Sequence, residues 1–201
     1  MTIKLMGSSS GSVALDAPAS TTGAANVTLT LPVDDGDANE VLQTNGSGAL
    51  SWAGNTPAFA ARVGTTQDWG NTQTVVIDFD TEILDSDGCF DTSTHRFTPN
   101  SAGYYFIYLS VSIEGSSANK LENVHAQIRK NDSTNVARAR MDPNDSYDMN
   151  RANCSCSCIV YLDGTDDFIE GQAYANTDSS ADGRIAQGNA NCMGGFKLLG
   201  V

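Results

Sequence analysis

The stretch from Pro99 to Ile113 constrains the fold of this chain more than any other part of the sequence. A turn bounded by Pro99 and Gly103 leads into a ten-residue run of mostly aromatic and β-branched residues, which is typical of a β-strand. Alternate residues of this run form one continuous apolar face: Tyr105, Ile107, Leu109, Val111 and Ile113. The alternation predicts a strand that presents this face to a hydrophobic core.

The opposite face of the same strand carries three more aromatic residues, Tyr104, Phe106 and Tyr108, before it changes to Ser110 and Ser112. A sheet that buries only one face normally alternates apolar with polar residues. Three rings on the second face therefore need another surface to cover them, and a second copy of the chain is the simplest one. We predict that Tyr104, Phe106 and Tyr108 lie in an interface between copies.

The composition favours many short strands joined by turns. The 201 residues are 40% hydrophobic, which is enough for one core, and they include 19 glycines. From residue 57 onward, strand-like segments follow one another without a long helical pattern. The apolar residues of 118–131 fit both the helical period of 3.6 and the strand period of two, and the all-β surroundings favour a strand. We expect an all-β fold of the sandwich, barrel or jelly-roll type.

The charge of the chain argues against two classes of partner. Its 24 acidic and 11 basic residues give a net charge of −13, so nucleic acids and anionic membrane surfaces should repel it. No stretch approaches the roughly 18 apolar residues of a membrane-spanning helix. Residues 1–15 also lack the apolar core of a signal peptide. We expect a protein made in the cytoplasm, without nucleic acid as a partner and without membrane insertion.

Residues 1–56 differ in composition from the rest of the chain. Their short apolar pieces are separated by Gly, Ser, Pro and Asp residues, and Trp52 is their only aromatic residue. So few large side chains cannot build an independent core, and we expect the segment to be disordered or stabilised within an assembly. The sequence predicts a boundary at Asn55-Thr56-Pro57, between an N-terminal attachment or shaft segment, 1–56, and a head domain, 57–201.

Several short pieces of residues 57–201 form a recognisable pattern around the cluster from Pro99 to Phe106. They are Ala58-Phe59-Ala60-Ala61, Phe90-Asp91, Phe97, Lys130-Asn131-Asp132, Leu162-Asp163-Gly164-Thr165-Asp166 and Gly195-Phe196-Lys197-Leu198-Leu199. The pattern resembles the globular head of complement subcomponent one-q, which shares its jelly roll with the tumour necrosis factor superfamily. The Gly-Thr-Asp-Asp turn, the Cys-x-Cys-x-Cys strand and the lack of a collagen repeat depart from that family. The resemblance implies a homotrimeric jelly-roll β-sandwich with aromatic residues of this strand region near the threefold axis.

Three pieces of the N-terminal segment form a second pattern. They are Ser10 to Pro18, Val27 to Pro32 and Val41 to Trp52. This single-copy pattern is similar to a module of tail-fibre and related virion proteins of bacteriophages. The resemblance implies a β-rich segment that becomes stable when three chains wrap into a shaft, because each chain supplies apolar surface that its neighbours lack.

The cysteines leave three alternatives open. They are Cys89, Cys154, Cys156, Cys158 and Cys192. Cys154, Cys156 and Cys158 share one face of a predicted strand with Val160 and Leu162, at successive spacings of about 6.5–7 Å. Three thiolates in a row on a strand do not readily converge on one Zn²⁺, so buried free thiols are favoured. A disulfide to one of the other two cysteines, or a metal site that includes one, remains open, as does the redox state of all five.

Nothing in the sequence indicates catalysis. His95, in a predicted turn, and His125, on the polar face of a predicted strand, are the only histidines, and no nucleophile elbow or pair of glutamates accompanies them. We predict no catalytic, cofactor-binding or metal-binding residues. Calcium stays an alternative, because acidic turns can supply oxygen ligands and some heads of the resembled family bind it. The acidic groups are Asp85 with Asp87, Asp142 with Asp145 and Asp148, Asp163 with Asp166 and Asp167, and Asp178 with Asp182.

Together these observations favour a structural virion protein of a bacteriophage, a homotrimeric tail fibre or spike located in the virion. We expect the head to contact a glycan or protein of the host surface or another virion component, and the N-terminal segment to bind other virion proteins. A capsid decoration or head-fibre protein with the same trimeric head is the first alternative. An enzyme that depolymerises host glycans is the second. The sequence does not distinguish the tail from the capsid.

Overall fold

The computed structural model describes residues 3–6, 12–15, 20–21, 26–36, 40–53, 57–115, 121–142, 149–177 and 182–199. Every regular element in these ranges is a β-strand, as the sequence predicts. Contacts divide the chain into two compact units, Met1–Asn55 and Thr56–Val201. The predicted boundary residues Asn55 and Thr56 lie outside the described ranges. Within those ranges no helix has the length and hydrophobicity needed to cross a membrane.

The described part of the first unit has its short strands in antiparallel pairs. The strands are β1 Ile3–Met6, β2 Ser12–Leu15, β3 Val41–Thr44 and β4 Leu50–Ala53. The alternating residues 27–31 do not form the strand that their pattern suggests. They make a parallel bridge between Thr30 and Ala49, in which the N–H of Leu50 donates to the carbonyl of Thr30 at 2.8 Å. None of the hydrophobic side chains described in this unit is buried.

The second unit, the head, contains the remaining described strands. They are β5 Ala58–Val63, β6 Gln67–Trp69, β7 Thr74–Val76, β8 Thr81–Asp85, β9 Phe90–Asp91, β10 Arg96–Phe97, β11 Gly103–Gly115, β12 Leu121–Lys130, β13 Thr134–Met141, β14 Arg151–Leu162, β15 Ile169–Thr177, β16 Gly183–Ile185 and β17 Gly188–Lys197. The strand β12 falls in the ambiguous stretch 118–131, so the strand prediction is confirmed there; residues 118–120 lie outside the described ranges.

The strands of the head form two antiparallel sheets. In sheet I, β11 pairs with β14 along one edge and with β17 and β16 along the other. From β17 the sheet continues through β5 to β8, and β6 lies beside β16. Sheet II has the order β13, β12, β15, β10, β9, with β7 also paired to β15. The chain crosses repeatedly between the sheets, which gives the predicted jelly-roll sandwich.

The hydrophobic core lies between the two sheets. The predicted core face of β11 is confirmed, because Tyr105, Ile107, Leu109, Val111 and Ile113 are each at most 1% exposed. Small and medium side chains of sheet II pack against them from the other side, among them Val124, Ala126, Ile128, Ala173 and Ala175.

The alternation of apolar Val75, Ile77 and Phe79 along residues 75–80 predicts a half-buried strand, but the pairing with β15 ends at Val76. The burial pattern nevertheless continues, and Ile77 and Phe79 are fully buried. The N–H of Ile77 donates to the carbonyl of Gly171 at 2.9 Å, and the N–H of Phe79 then donates to the carbonyl of Ile77 at 2.9 Å. A tight turn of this kind ends the ladder but keeps alternate side chains on the core side.

Candidate interface on the outer face of sheet I

The strand register surrounds the three predicted interface residues with further large apolar side chains. Tyr104 pairs with Tyr161 of β14, and Phe106 pairs with Ile159 of β14 and with Phe196 of β17. Side chains at paired positions lie on the same face of a sheet. We call the resulting surface the aromatic face; its members are Tyr104, Phe106, Tyr108, Ile159, Tyr161 and Phe196.

Much of the aromatic face is open in the single chain. The exposed fraction is 63% for Ile159, 48% for Tyr161 and 45% for both Tyr104 and Phe196. The rings already contact one another: the Tyr104 and Tyr161 centroids are 5.4 Å apart edge to face, and those of Phe106 and Phe196 are 5.6 Å apart. A contiguous exposed apolar surface of this kind marks a site of interaction.

A glycine on β17 determines how Tyr108 lies on the sheet. A Cβ atom at Gly194 would be 2.5 Å from Tyr108 Oη and 2.8 Å from the carbonyl oxygen of Phe59. The ring therefore occupies the space that any other residue would fill, and its burial raises the pKa of the Tyr108 hydroxyl. Beyond Gly194, Ala60 of β5 pairs with Leu84 of β8. The small residues Gly194 and Ala60 thus form a low strip on the surface of the sheet, beside the protruding aromatic side chains of β11 and β14.

The same face becomes polar towards the other end of the strands. Ser110 and Ser155 share a hydrogen bond of 2.9 Å. Two ion pairs follow at the far end of β11, Arg151 Nε to Glu114 Oε2 at 2.9 Å and Arg184 Nε to Asp68 Oδ1 at 2.6 Å. The hydrogen bond from Arg184 lowers the pKa of the Asp68 carboxyl. The apolar surface is therefore confined to the end of sheet I where the chain enters the head at Ala58, opposite Phe196.

The thiols of β14 point towards the core, as the sequence predicts. Cys154 is 2% exposed, while Cys156 and Cys158 are half-buried and pack against the core cluster. All five cysteines are free in the structure, with Cys89 and Cys154 buried and the other three half-buried. Burial raises the pKa of each thiol, that of Cys158 to about 11. Among the described residues, no three or more His, Cys, Asp or Glu side chains are grouped so as to hold a metal ion.

The two histidines lie where the sequence predicts, one in a turn and one on the face of a strand. His95 is in a turn with a φ of 60°, and its Nε2 lies 3.3 Å from Asp78 Oδ1. His125, on the outer face of sheet II, stacks on Tyr174 with centroids 4.8 Å apart. Burial, together with the charge of nearby Arg138 and Arg140, lowers the pKa of His125.

Two of the acidic residues considered for calcium, Asp85 and Asp163, bind main-chain N–H groups. The carboxylate of Asp85 accepts the N–H groups of Cys89 at 3.0 Å and Phe90 at 2.8 Å. Asp163 Oδ1 accepts three successive N–H groups at 2.9–3.1 Å, and these bonds lower the pKa of Asp163 to about 2. These oxygen atoms are occupied in fixing loops. Outside the described residues lie Asp145, Asp148 and Asp178.

A chain of hydrogen bonds across the outer face of sheet II was not foreseen from the sequence. Arg96 Nε donates to Glu170 at 3.0 Å, Gln172 donates to Glu170 at 2.7 Å, and Gln127 donates to Gln172 at 2.9 Å. Arg138 Nε then donates to Gln127 at 2.9 Å. Glu170 is 0% and Gln127 2% exposed. Polar residues at alternate positions of a strand normally indicate a solvated face, so the sequence carries no signal for their burial.

The head of this chain matches a known protein family. A model of the C1q domain matches residues 58–181, which is more than half of the chain. The chain belongs to the C1q domain family. Domains of the C1q and TNF type are typically ligand-binding or structural and not enzymatic. No curated protein matches the chain in sequence.

Solved structures share the fold of the C1q head at low sequence identity. Murine APRIL at pH 5.0 is 10% identical with a TM-score of 0.52, over 72% of this chain and 100% of APRIL. The globular domain of zebrafish complement 1qA is 14% identical with a TM-score of 0.49, over 71% and 97% of the two chains. Eiger TNF from S. frugiperda is 9% identical with a TM-score of 0.49, over 73% and 93%. At 10% identity, the similarity to APRIL supports the fold alone.

Proposed function

We propose that this chain is a structural protein whose C1q head forms a homotrimer by burying the aromatic face. Heads of C1q and TNF homologues are homotrimers, which supports this assembly. The observation that carries the proposal is the exposure of Ile159, Tyr161, Tyr104 and Phe196 on one surface of an otherwise well-packed sandwich. Complete burial of a large apolar side chain contributes about 1.5–3 kcal/mol, so a few such residues per copy would stabilise a trimer.

The shape of sheet I also suits a ring of three. A closed ring with an odd number of copies joins two different surface patches of each copy, a heterologous contact. The ridge of rings on β11 and β14 offers one such patch. The low strip formed by Gly194 and Ala60, with the 49% exposed Leu84 beyond it, offers a second one.

The proposal extends to a role for the whole chain as a tail fibre or spike in a bacteriophage virion. The N-terminal pattern, similar to modules of phage virion proteins, supports this role. The described part of the first unit also lacks a buried core, as expected of a segment that needs an assembly. In this role the first unit attaches to other virion proteins, and the head contacts a host glycan or protein. A capsid decoration protein with the same trimer is the second candidate.

Two substitutions on the aromatic face test the trimer. Ile159→Asp adds a charge at a position that is 63% exposed in the single chain, so folding should be preserved while association is lost. Phe106→Asp should have the same effect on association. Light scattering on the wild type should give three times the chain mass of 21.1 kDa, and both variants should give a single chain.

The matched control is Thr134→Asp, which places the same charge at an exposed position of β13. This variant should remain a trimer. A trimer of Ile159→Asp or Phe106→Asp would contradict the assignment of the face. Circular dichroism identifies any variant that does not fold, and Ile159→Asp then decides the question because its side chain has little packing to lose.

The virion role has its own test. Antibody raised against the chain and imaged on purified virions by negative-stain electron microscopy should label the tail. Label on the capsid would favour the decoration protein, and unlabelled virions would contradict both. Incubation with host polysaccharide should release no oligosaccharides; their release would establish the glycan-depolymerising alternative.

A further inference from the structure

A groove in the first unit is lined by both apolar and acidic residues. It encloses about 560 Å³, which is within the range of ligand-binding pockets. Its apolar lining comes from Leu31, Pro32, Val33, Leu50 and Trp52, and its acidic lining from Asp34, Asp35 and Glu40. We call it the Trp52 groove.

The position of the Trp52 ring is fixed by the segment from Asp34 to Gly36. The indole Nε1 donates to the carbonyl oxygen of Asp34 at 3.1 Å. Gly36, with a φ of 71°, lies against the ring so closely that a Cβ atom there would be 2.7 Å from it. On the hairpin, Trp52 pairs with Leu42 across β3 and β4. The groove is therefore built around an aromatic side chain that is held in place and whose Nε1 already donates a hydrogen bond.

The charge of the groove indicates which partner it suits. Asp34, Asp35 and Glu40 contribute carboxylates to its described lining, which contains no lysine or arginine. A basic segment is therefore attracted to it, whereas a second copy of this chain, with 24 acidic and 11 basic residues, is the less suitable partner.

We propose that the Trp52 groove binds a basic, apolar segment of another protein. The apolar lining residues bury the segment's aliphatic side chains, and the Asp34 and Asp35 carboxylates pair with its lysine or arginine side chains. This inference rests on the proposed attachment role of the first unit and names the site and the chemistry of its partner. It is independent of how the heads associate.

The test uses the full-length protein and a short peptide that repeats Arg-Pro-Leu. Tryptophan fluorescence reports binding, since the only other tryptophan, Trp69, is 5% exposed in the head core. The peptide should change the fluorescence saturably in the wild type, and isothermal titration calorimetry, which does not depend on the indole, should show weaker binding to Trp52→Phe. The double variant Asp34→Asn with Asp35→Asn should bind about tenfold more weakly, as expected from the loss of two charge pairs. Added salt should weaken binding to the wild type.

A matched control removes two charges elsewhere, Glu82→Gln with Asp182→Asn in the head, and should bind as tightly as the wild type. A wild type that does not respond, equal weakening in this control, or equal binding of a Glu-Pro-Leu peptide would each overturn the inference. So would protection of Trp52 from acrylamide quenching in the free protein, which would indicate that a second copy covers the groove. The mass of the same samples tests the trimer separately, so failure of one proposal does not conceal failure of the other.

Discussion

The side chain of Asp163 fixes the loop between β14 and β15 by itself. Its Oδ1 accepts the N–H groups of Thr165, Asp166 and Asp167, and these bonds favour the ionised carboxylate. Asp167 in turn pairs with Lys130 at 2.6 Å, which joins this loop to the turn that follows β12. Asp163 and Asp167 therefore stabilise the conformation of loops, and the number of acidic residues does not by itself indicate a cation site.

The pKa of Asp163 gives a prediction for acid stability. Because the folded-state pKa is lowered to about 2 from an ordinary 3.8, the carboxylate stabilises the fold above pH 4. That contribution is lost as the pH falls from about 4 to about 2. In Asp163→Asn the free energy of unfolding, measured by urea titration at several pH values, should fall less steeply over this interval. Asp35→Asn is the control, and equal slopes for Asp163→Asn and the wild type would contradict the prediction.

The free thiols give a second prediction at the scale of the residue. Thiol reagents attack the thiolate, and burial raises the pKa of all five cysteines, so little thiolate is present near neutral pH. A disulfide-exchange reagent should label the native protein slowly and should label five thiols per chain after denaturation. Rapid labelling of the native cysteines, or fewer than five after denaturation without reductant, would contradict the assignment as buried free thiols.

Side chains as well as main-chain ladders connect the strands of sheet II. Gln127 Oε1 on β12 accepts from Asn135 at 3.0 Å and from Arg138 on β13, while its Nε2 donates to Gln172 on β15. One amide therefore links three neighbouring strands. Buried polar groups that keep all their partners stabilise a unique register, whereas loss of one member leaves the others unpaired.

This network predicts unequal effects of two substitutions. Gln127→Leu should reduce the free energy of unfolding by about 1–3 kcal/mol, because the half-buried Gln172 loses its donor and Asn135 and Arg138 lose their acceptor. Arg138→Leu, at an exposed position of β13, should cost less than about 1 kcal/mol, because Gln127 Oε1 still accepts from Asn135. Urea denaturation monitored by circular dichroism measures both. Equal losses, or no loss for Gln127→Leu, would contradict a stabilising role for the network.

The elements that the sequence predicts well are those with strict alternation. The face of β11 from Tyr105 to Ile113 and the thiol face of β14 follow directly from a period of two. The bulge between Gly188 and Cys192 on β17 cannot be predicted from this period. There Asn191 replaces main-chain partners, accepting from the N–H of Ser112 at 2.7 Å and donating to the carbonyl of Ala186 at 2.6 Å. A side chain that substitutes for a ladder depends on contacts distant in sequence and leaves no local pattern.

For the candidate interface, the sequence predicted Tyr104, Phe106 and Tyr108 but not their neighbours. Ile159 and Tyr161 join them only through the register of β14, and Phe196 only through β17. Pairing partners cannot be identified from one sequence when several strands have similar lengths and patterns. The structure therefore enlarges the predicted surface, and the interface itself stays a prediction.

On the scale of the whole molecule, the head and the first unit differ in how much apolar surface each buries by itself. The head has a continuous core between two sheets, whereas the described part of the first unit leaves Val27, Leu31 and Val33 at least 68% exposed. We expect the first unit to gain stability from association of the heads, which brings its copies together at high effective concentration. Its unfolding should therefore depend on protein concentration.

Sedimentation equilibrium of the wild-type chain at micromolar concentration tests the central claim most directly. The exposed aromatic face predicts a single species of three times 21.1 kDa that remains folded by circular dichroism. A well-folded species of 21.1 kDa at that concentration would contradict it, because the aromatic face would then remain in contact with water.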